Sequence, residues 1–66
     1  MVPPWQKFPH IPLGSIGWRM GEGEDYWIGF DEWFKRKHPE AKARYAADNP
    51  EPPGWEGFYR RKGVPA

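Results

Sequence analysis

Glu24-Asp25-Tyr26-Trp27-Ile28-Gly29-Phe30-Asp31-Glu32-Trp33-Phe34-Lys35-Arg36-Lys37 is the stretch that decides how this chain folds. Trp27, Phe30 and Phe34 recur at i, i+3 and i+7, and Tyr26, Phe30 and Trp33 at i, i+4 and i+7. Both series lay one broad apolar face along a helix. Acids open the segment and bases close it, as the helix dipole favours. Pro39 pushes the residue before it out of helical geometry, so the pattern predicts a helix over 24–37.

Toward the C-terminus, Pro39 suits the first turn of a second helix through Glu40, Ala41, Lys42, Ala43, Arg44, Tyr45, Ala46 and Ala47, predicted over 39–48 and ended by Asn49-Pro50. Its apolar face is narrow, chiefly Ala41 and Tyr45. Pro50, Pro52 and Pro53 make a stiff connector to a last short helix, predicted over 55–62 and closed by Gly63. Toward the N-terminus, residues 1–23 hold Pro3, Pro4, Pro9 and Pro12 with Gly14, Gly17, Gly21 and Gly23. Proline lacks a donor and stiffens what precedes it, so no helix is expected there. The segment reads as an extended, polyproline-like arm with a short strand or turn around Trp18. Trp5, Phe8, Ile11 and Leu13 are its anchors, too many apolar residues for a disordered tail.

The expected fold is therefore mainly α. One domain over 1–66 carries two to three short helices, with the Pro/Gly-rich N-terminal arm packed over an aromatic core. Trp27, Phe30 and Phe34 are expected at the centre of that core, met by Trp18 and by a ring of the last helix. Five Trp, four Phe and three Tyr outnumber the branched aliphatics Val2, Ile11, Leu13, Ile16, Ile28 and Val64, so flat rings, each burying about 150–250 Å², must supply most of the interior. They are needed, because a core in a chain this short rarely contributes more than ~3–5 kcal/mol unaided. With no cysteine there is no disulfide, thiolate zinc site or iron–sulfur cluster to add to it. Nine prolines help by narrowing the unfolded ensemble.

Charge and chemistry narrow the function classes. Ten Lys/Arg against nine Asp/Glu leave +1, too little for a global pull toward nucleic acid or anionic lipid. No apolar run approaches the ~20 residues that span a bilayer. A start at Met1 without a charged and apolar leader, in a chain without cysteine, reads as an intact small cytoplasmic product. Its richness in Trp, Pro, Gly and Arg is what a GC-rich bacterial or phage genome tends to encode. Gly21-Glu22-Gly23-Glu24-Asp25 precedes a helix as a phosphate cradle does, but its three acids repel phosphate. They read as complements to the helix dipole, with Glu24 or Asp25 placed to pair with Arg19. Asp31 and Glu32 are neighbours on a helix and point apart, so they form no carboxylate dyad. Ser15 is the lone serine, with no histidine at a telling spacing. His10 and His38 read as surface or capping residues and are too few for a metal site. No enzyme, cofactor or metal is expected.

Two features point to binding instead. Gly29-Phe30-Asp31-Glu32-Trp33-Phe34-Lys35-Arg36-Lys37 and Gly54-Trp55-Glu56-Gly57-Phe58-Tyr59-Arg60-Arg61-Lys62 share one pattern: glycine, aromatic, acid, any residue, two aromatics, three bases. Most simply, both are helix ends obeying the same dipole rule. Side by side, however, Lys35, Arg36, Lys37, Arg60, Arg61 and Lys62 beside rings would stack bases and neutralise phosphates of a single strand. Trp5 and Trp55 lie in proline-flanked segments outside the main helical face, and at least one is expected to stay exposed as a docking ring. The leading expectation is a partner-binding protein using Trp5, Trp55, Arg36, Lys37, Arg60 and Arg61, its partner another protein or a second copy of itself. Binding of single-stranded nucleic acid or RNA is one alternative and a structural homodimer with no other ligand a second; no membrane is involved.

Overall fold

The computed structural model describes residues 1–64, which fold as four α-helices and one 3-10 turn: α1 Pro4–Lys7, the 3-10 turn Ile16–Trp18, α2 Gly21–Lys35, α3 Pro39–Asp48 and α4 Phe58–Arg61. The fold is mainly helical, without a strand among the described residues. α2 begins three residues earlier than the aromatic period alone indicates, with Glu22 and Glu24 in its first turn. It stops at Lys35, two residues short of expectation. There Arg36 caps it, the Lys37 N–H donates to the Phe34 carbonyl at 3.1 Å, and Pro39 holds His38 extended at ψ 153°. α3 has the expected bounds, with Pro39 in its first turn, where a missing N–H is no loss.

The last helix is shorter than 55–62. Gly57 takes φ +90°, a left-handed conformation that a helix interior excludes, so Trp55 and Glu56 lie in turns and α4 starts at Phe58. The cap of α4 comes from the connector: one Glu51 carboxylate oxygen accepts the Gly57 N–H at 3.1 Å and the other the Tyr59 N–H at 2.7 Å. Negative charge on these free donors is favourable both as hydrogen bonding and against the dipole.

The arm corrects a second expectation, for it is not extended throughout. Pro3 and Pro4 stand at the N-cap and first position of α1, where they cost no hydrogen bond, and the Pro3 carbonyl accepts from Gln6 at 2.9 Å and Lys7 at 3.2 Å. Beyond it, the Ser15 hydroxyl accepts the Gly17 N–H at 3.1 Å and opens the 3-10 turn. That turn presses on the start of α2 so closely that a Cβ at Gly23 would lie 2.0 Å from the Gly17 carbonyl oxygen. Two tyrosine hydroxyls fasten the start of the arm: Tyr26 donates to the Val2 carbonyl, and Tyr45 to that of Met1 at 2.8 Å.

Rings fill the interior. Trp18, Phe30, Phe34, Trp55, Phe58, Tyr59 and Val64 are buried. Phe30 and Phe34, one turn apart on α2, stack at 5.6 Å, and they meet α4 through Phe30–Phe58 at 5.9 Å and Phe34–Tyr59 at 6.0 Å. Tyr45 brings α3 onto the same pair at 5.9 and 5.5 Å. Trp27 is half-buried instead of central. It lies at the rim, 5.2 Å from Trp18 and 5.7 Å from Phe58, while Phe58 and Trp55 take the middle.

Candidate functional site

The residues singled out for binding separate into several environments. Trp55 is 5% exposed and wedged between Trp5 at 5.2 Å and Trp18 at 5.8 Å. Trp5 is half-buried against Phe58 and Tyr59. Neither is a free docking ring, and none of the five tryptophans is fully exposed, since each packs against other rings. Among the described residues the large apolar side chains left in solvent are Ile16, Met20 and Ile28, with Met1 and Val2 at the start of the arm.

The two basic runs do not form one basic face. Lys62 is folded inward, its side chain 10% exposed and its Nζ 2.8 Å from Asp31 Oδ1, 4.6 Å from the Trp27 ring and 5.2 Å from that of Phe58. Lys35 and Arg36 reach back to Glu32 at 2.9 and 4.0 Å. Lys37 lies 4.2 Å above the Trp33 ring. Arg60 and Arg61, adjacent on a helix, diverge: Arg60 borders a concavity with Ala46, Pro50, Glu51 and Val64, Arg61 another with Trp18, Arg19 and Trp27.

This second concavity is smaller and more enclosed than the first. Its floor is Trp18, whose indole N–H donates to the Pro12 carbonyl at 3.0 Å and so fixes the ring, together with Trp27 from α2. Leu13, Gly14 and Ser15 form one wall, and Arg19 and Arg61 border it from the 3-10 turn and α4. Among the described residues no carboxylate lies within 4.0 Å of either guanidinium, so the expected pairing of Arg19 with Glu24 or Asp25 is not made. Ile16 and Met20, 70% and 58% exposed, flank Trp18 and Arg19 along the chain. The volume, about 280 Å³, falls just under the ~300–1,000 Å³ of small-molecule pockets and suits one or two side chains of a partner. Chemically, two guanidinium forks with no carboxylate in reach among the described residues, bordering a concavity lined by indoles, favour a planar anion, a carboxylate above all.

Sequence reasoning named Arg61 for this site and missed Arg19, which it assigned to an internal ion pair. The usable signal was Ile16 and Met20: large apolar residues beside glycine in a turn, outside any amphipathic period.

Ser15 caps the 3-10 turn, His38 precedes α3 in solvent, and His10 stands exposed against the edge of Phe8. Burial raises the pKa of all three tyrosines; Tyr45 is raised further by the charge of Tyr26, and Tyr59 by those of Tyr45 and Glu51. Among the described residues no cluster of three or more His, Asp or Glu could hold a metal ion, and no helix is long and apolar enough to cross a membrane. No family model, curated protein or solved structure matches this chain.

Proposed function

We propose that this chain is a non-catalytic protein-interaction module of the cytoplasm, taking an acidic side chain flanked by apolar residues of a partner protein at the Arg19–Arg61 cleft. The observation that carries this reading is the pair of arginines, without a carboxylate in reach among the described residues, around a concavity lined by Trp18 and Trp27, with Ile16 and Met20 exposed beside it. Arginine beside tryptophan is a composition enriched at interaction hot spots, and Ile16 and Met20 add exposed apolar area next to it. Single-stranded nucleic acid fits less well, because three of the six cations that would hold phosphates already engage Asp31 or Glu32.

Titration with short peptides carrying Asp or Glu beside Leu or Phe tests the reading. Amide NMR shifts should move at Leu13–Met20, Trp27 and Arg61, and the Arg19→Ala/Arg61→Ala variant should bind at least about tenfold more weakly, the loss of one charged hydrogen bond or more. Tight, steeply salt-dependent binding of an oligonucleotide, with no acidic peptide bound, would reverse it.

A further inference from the structure

The side of α2 turned away from the core carries Glu22, Asp25, Ile28, Gly29, Glu32, Lys35 and Arg36, all exposed. At 3.6 residues per turn they form one stripe opposite Phe30 and Phe34. Ile28, 55% exposed, sits at its middle beside Gly29, where a Cβ would meet nothing within 4 Å. The charges are sorted by half. Glu22 and Asp25 occupy the first half, with no cation within 4.0 Å among the described residues, although Lys7 borders the same concavity. In the second half Lys35 and Arg36 share the single acid Glu32 and leave one positive charge over.

Such a stripe is complementary to itself when one copy is reversed. We propose that α2 pairs antiparallel with α2 of a second copy of this chain, Glu22 and Asp25 of each copy facing Lys35 and Arg36 of the other, and each Ile28 seated by the partner's bare Gly29 backbone. A twofold axis near Ile28 and Gly29 makes every contact twice and closes the assembly as a dimer. A parallel pairing sets acid against acid and base against base, so the charges also choose the direction. Fifteen residues give a helix about 22 Å long with a contact strip about 10 Å wide. That covers a few hundred Å² per copy, under the ~800 Å² of a standard interface, so the dimer is weak and reversible. The pairing uses the opposite side of α2 from Trp27 and does not depend on the Arg19–Arg61 cleft.

Sedimentation velocity of the intact chain decides it. At low salt the protein should dimerise with a Kd in the high-micromolar range, weakened about tenfold in half-molar salt, where the Debye length shrinks to ~4 Å. Glu22→Lys/Asp25→Lys should be monomeric alone, and so should Lys35→Glu/Arg36→Glu. An equimolar mixture of the two should associate again, because each basic half then finds an acidic one. Ile28→Asp, which leaves both ends as they are, should also abolish the dimer. A wild-type monomer at ~1 mM and low salt overturns the proposal; so does a dimer that survives these substitutions, or a mixture that stays monomeric while both variants keep the wild-type NMR dispersion.

Discussion

Two glycines of one helix have opposite roles, and the difference is legible only in three dimensions. Gly23 abuts the Gly17 carbonyl oxygen, whereas Gly29 faces open space. Gly23→Ala must therefore part the 3-10 turn from α2, and backbone cannot yield as a flexible side chain can. It should cost at least ~2–3 kcal/mol, in the range of overpacked cores. Gly29→Ala should instead add about 0.5–1 kcal/mol, since it only removes freedom from the unfolded chain. Thermal melts of the two variants at a concentration low enough to be monomeric check both, and equal melting temperatures would contradict this account of the contact. The sequence put Gly23 at the end of the arm and Gly29 inside the helix but gave no sign of the contact at Gly23, because a close approach between segments leaves no mark on local pattern. Arg19 was obscure for the same reason: local spacing offers it Glu24 and Asp25, and only the packing of the turn carries it to Arg61.

Elements were legible where period and proline agreed. α3 has its predicted bounds because Pro39 and Asn49-Pro50 punctuate both ends. α2 was certain in its middle and off by a few residues at each end, where capping geometry and not apolar period sets the limit. The tandem pattern Gly29–Lys37 and Gly54–Lys62 misled, since one left-handed glycine, Gly57, turns the second copy into turns followed by a single helical turn. Two of the three ring positions keep their role all the same: Phe30 and Trp55, and Phe34 and Tyr59, are buried, whereas Phe58 is buried and its counterpart Trp33 only half-buried. α4 is too short to hold itself, and Glu51 caps it from the connector. Glu51→Ala removes two acceptors and should cost about 1–2 kcal/mol. Amide exchange at Gly57 and Tyr59 should accelerate well beyond that at α2; unchanged protection there would mean that α4 is held by its rings alone.

At the scale of the whole molecule, three tyrosines tie distant segments by their hydroxyls. Tyr26 and Tyr45 hold the Val2 and Met1 carbonyls, and Tyr59 holds that of Asn49. Each has a raised pKa, with burial as the leading cause. A tyrosine in the unfolded chain releases its proton near pH 10, before the folded one does. Stability from this source is therefore complete below about pH 10 and falls as pH rises beyond it, by up to ~1.4 kcal/mol per pH unit for buried Tyr59. The melting temperature should be flat from neutrality to about pH 9 and drop steeply above pH 10, with tyrosinate absorbance appearing together with unfolding. Tyrosinate forming near pH 10 in a chain that still shows native NMR dispersion would show the hydroxyls to be free.

The crowding of indoles has a consequence for how the molecule looks to light. Trp5 and Trp55 lie 5.2 Å apart, as do Trp18 and Trp27, and Trp55 links the two pairs. Transition dipoles held so near and at fixed tilts exchange excitation, so these four indoles absorb as a coupled array and not as separate chromophores, whereas Trp33 packs on Phe30, Phe34 and Tyr45. The array's exciton bands overlie the helical signal in far-ultraviolet circular dichroism, and helix content taken from that spectrum will be misjudged. The same bands vanish when the rings drift apart, which makes them an optical gauge of tertiary packing, independent of whether the helices persist.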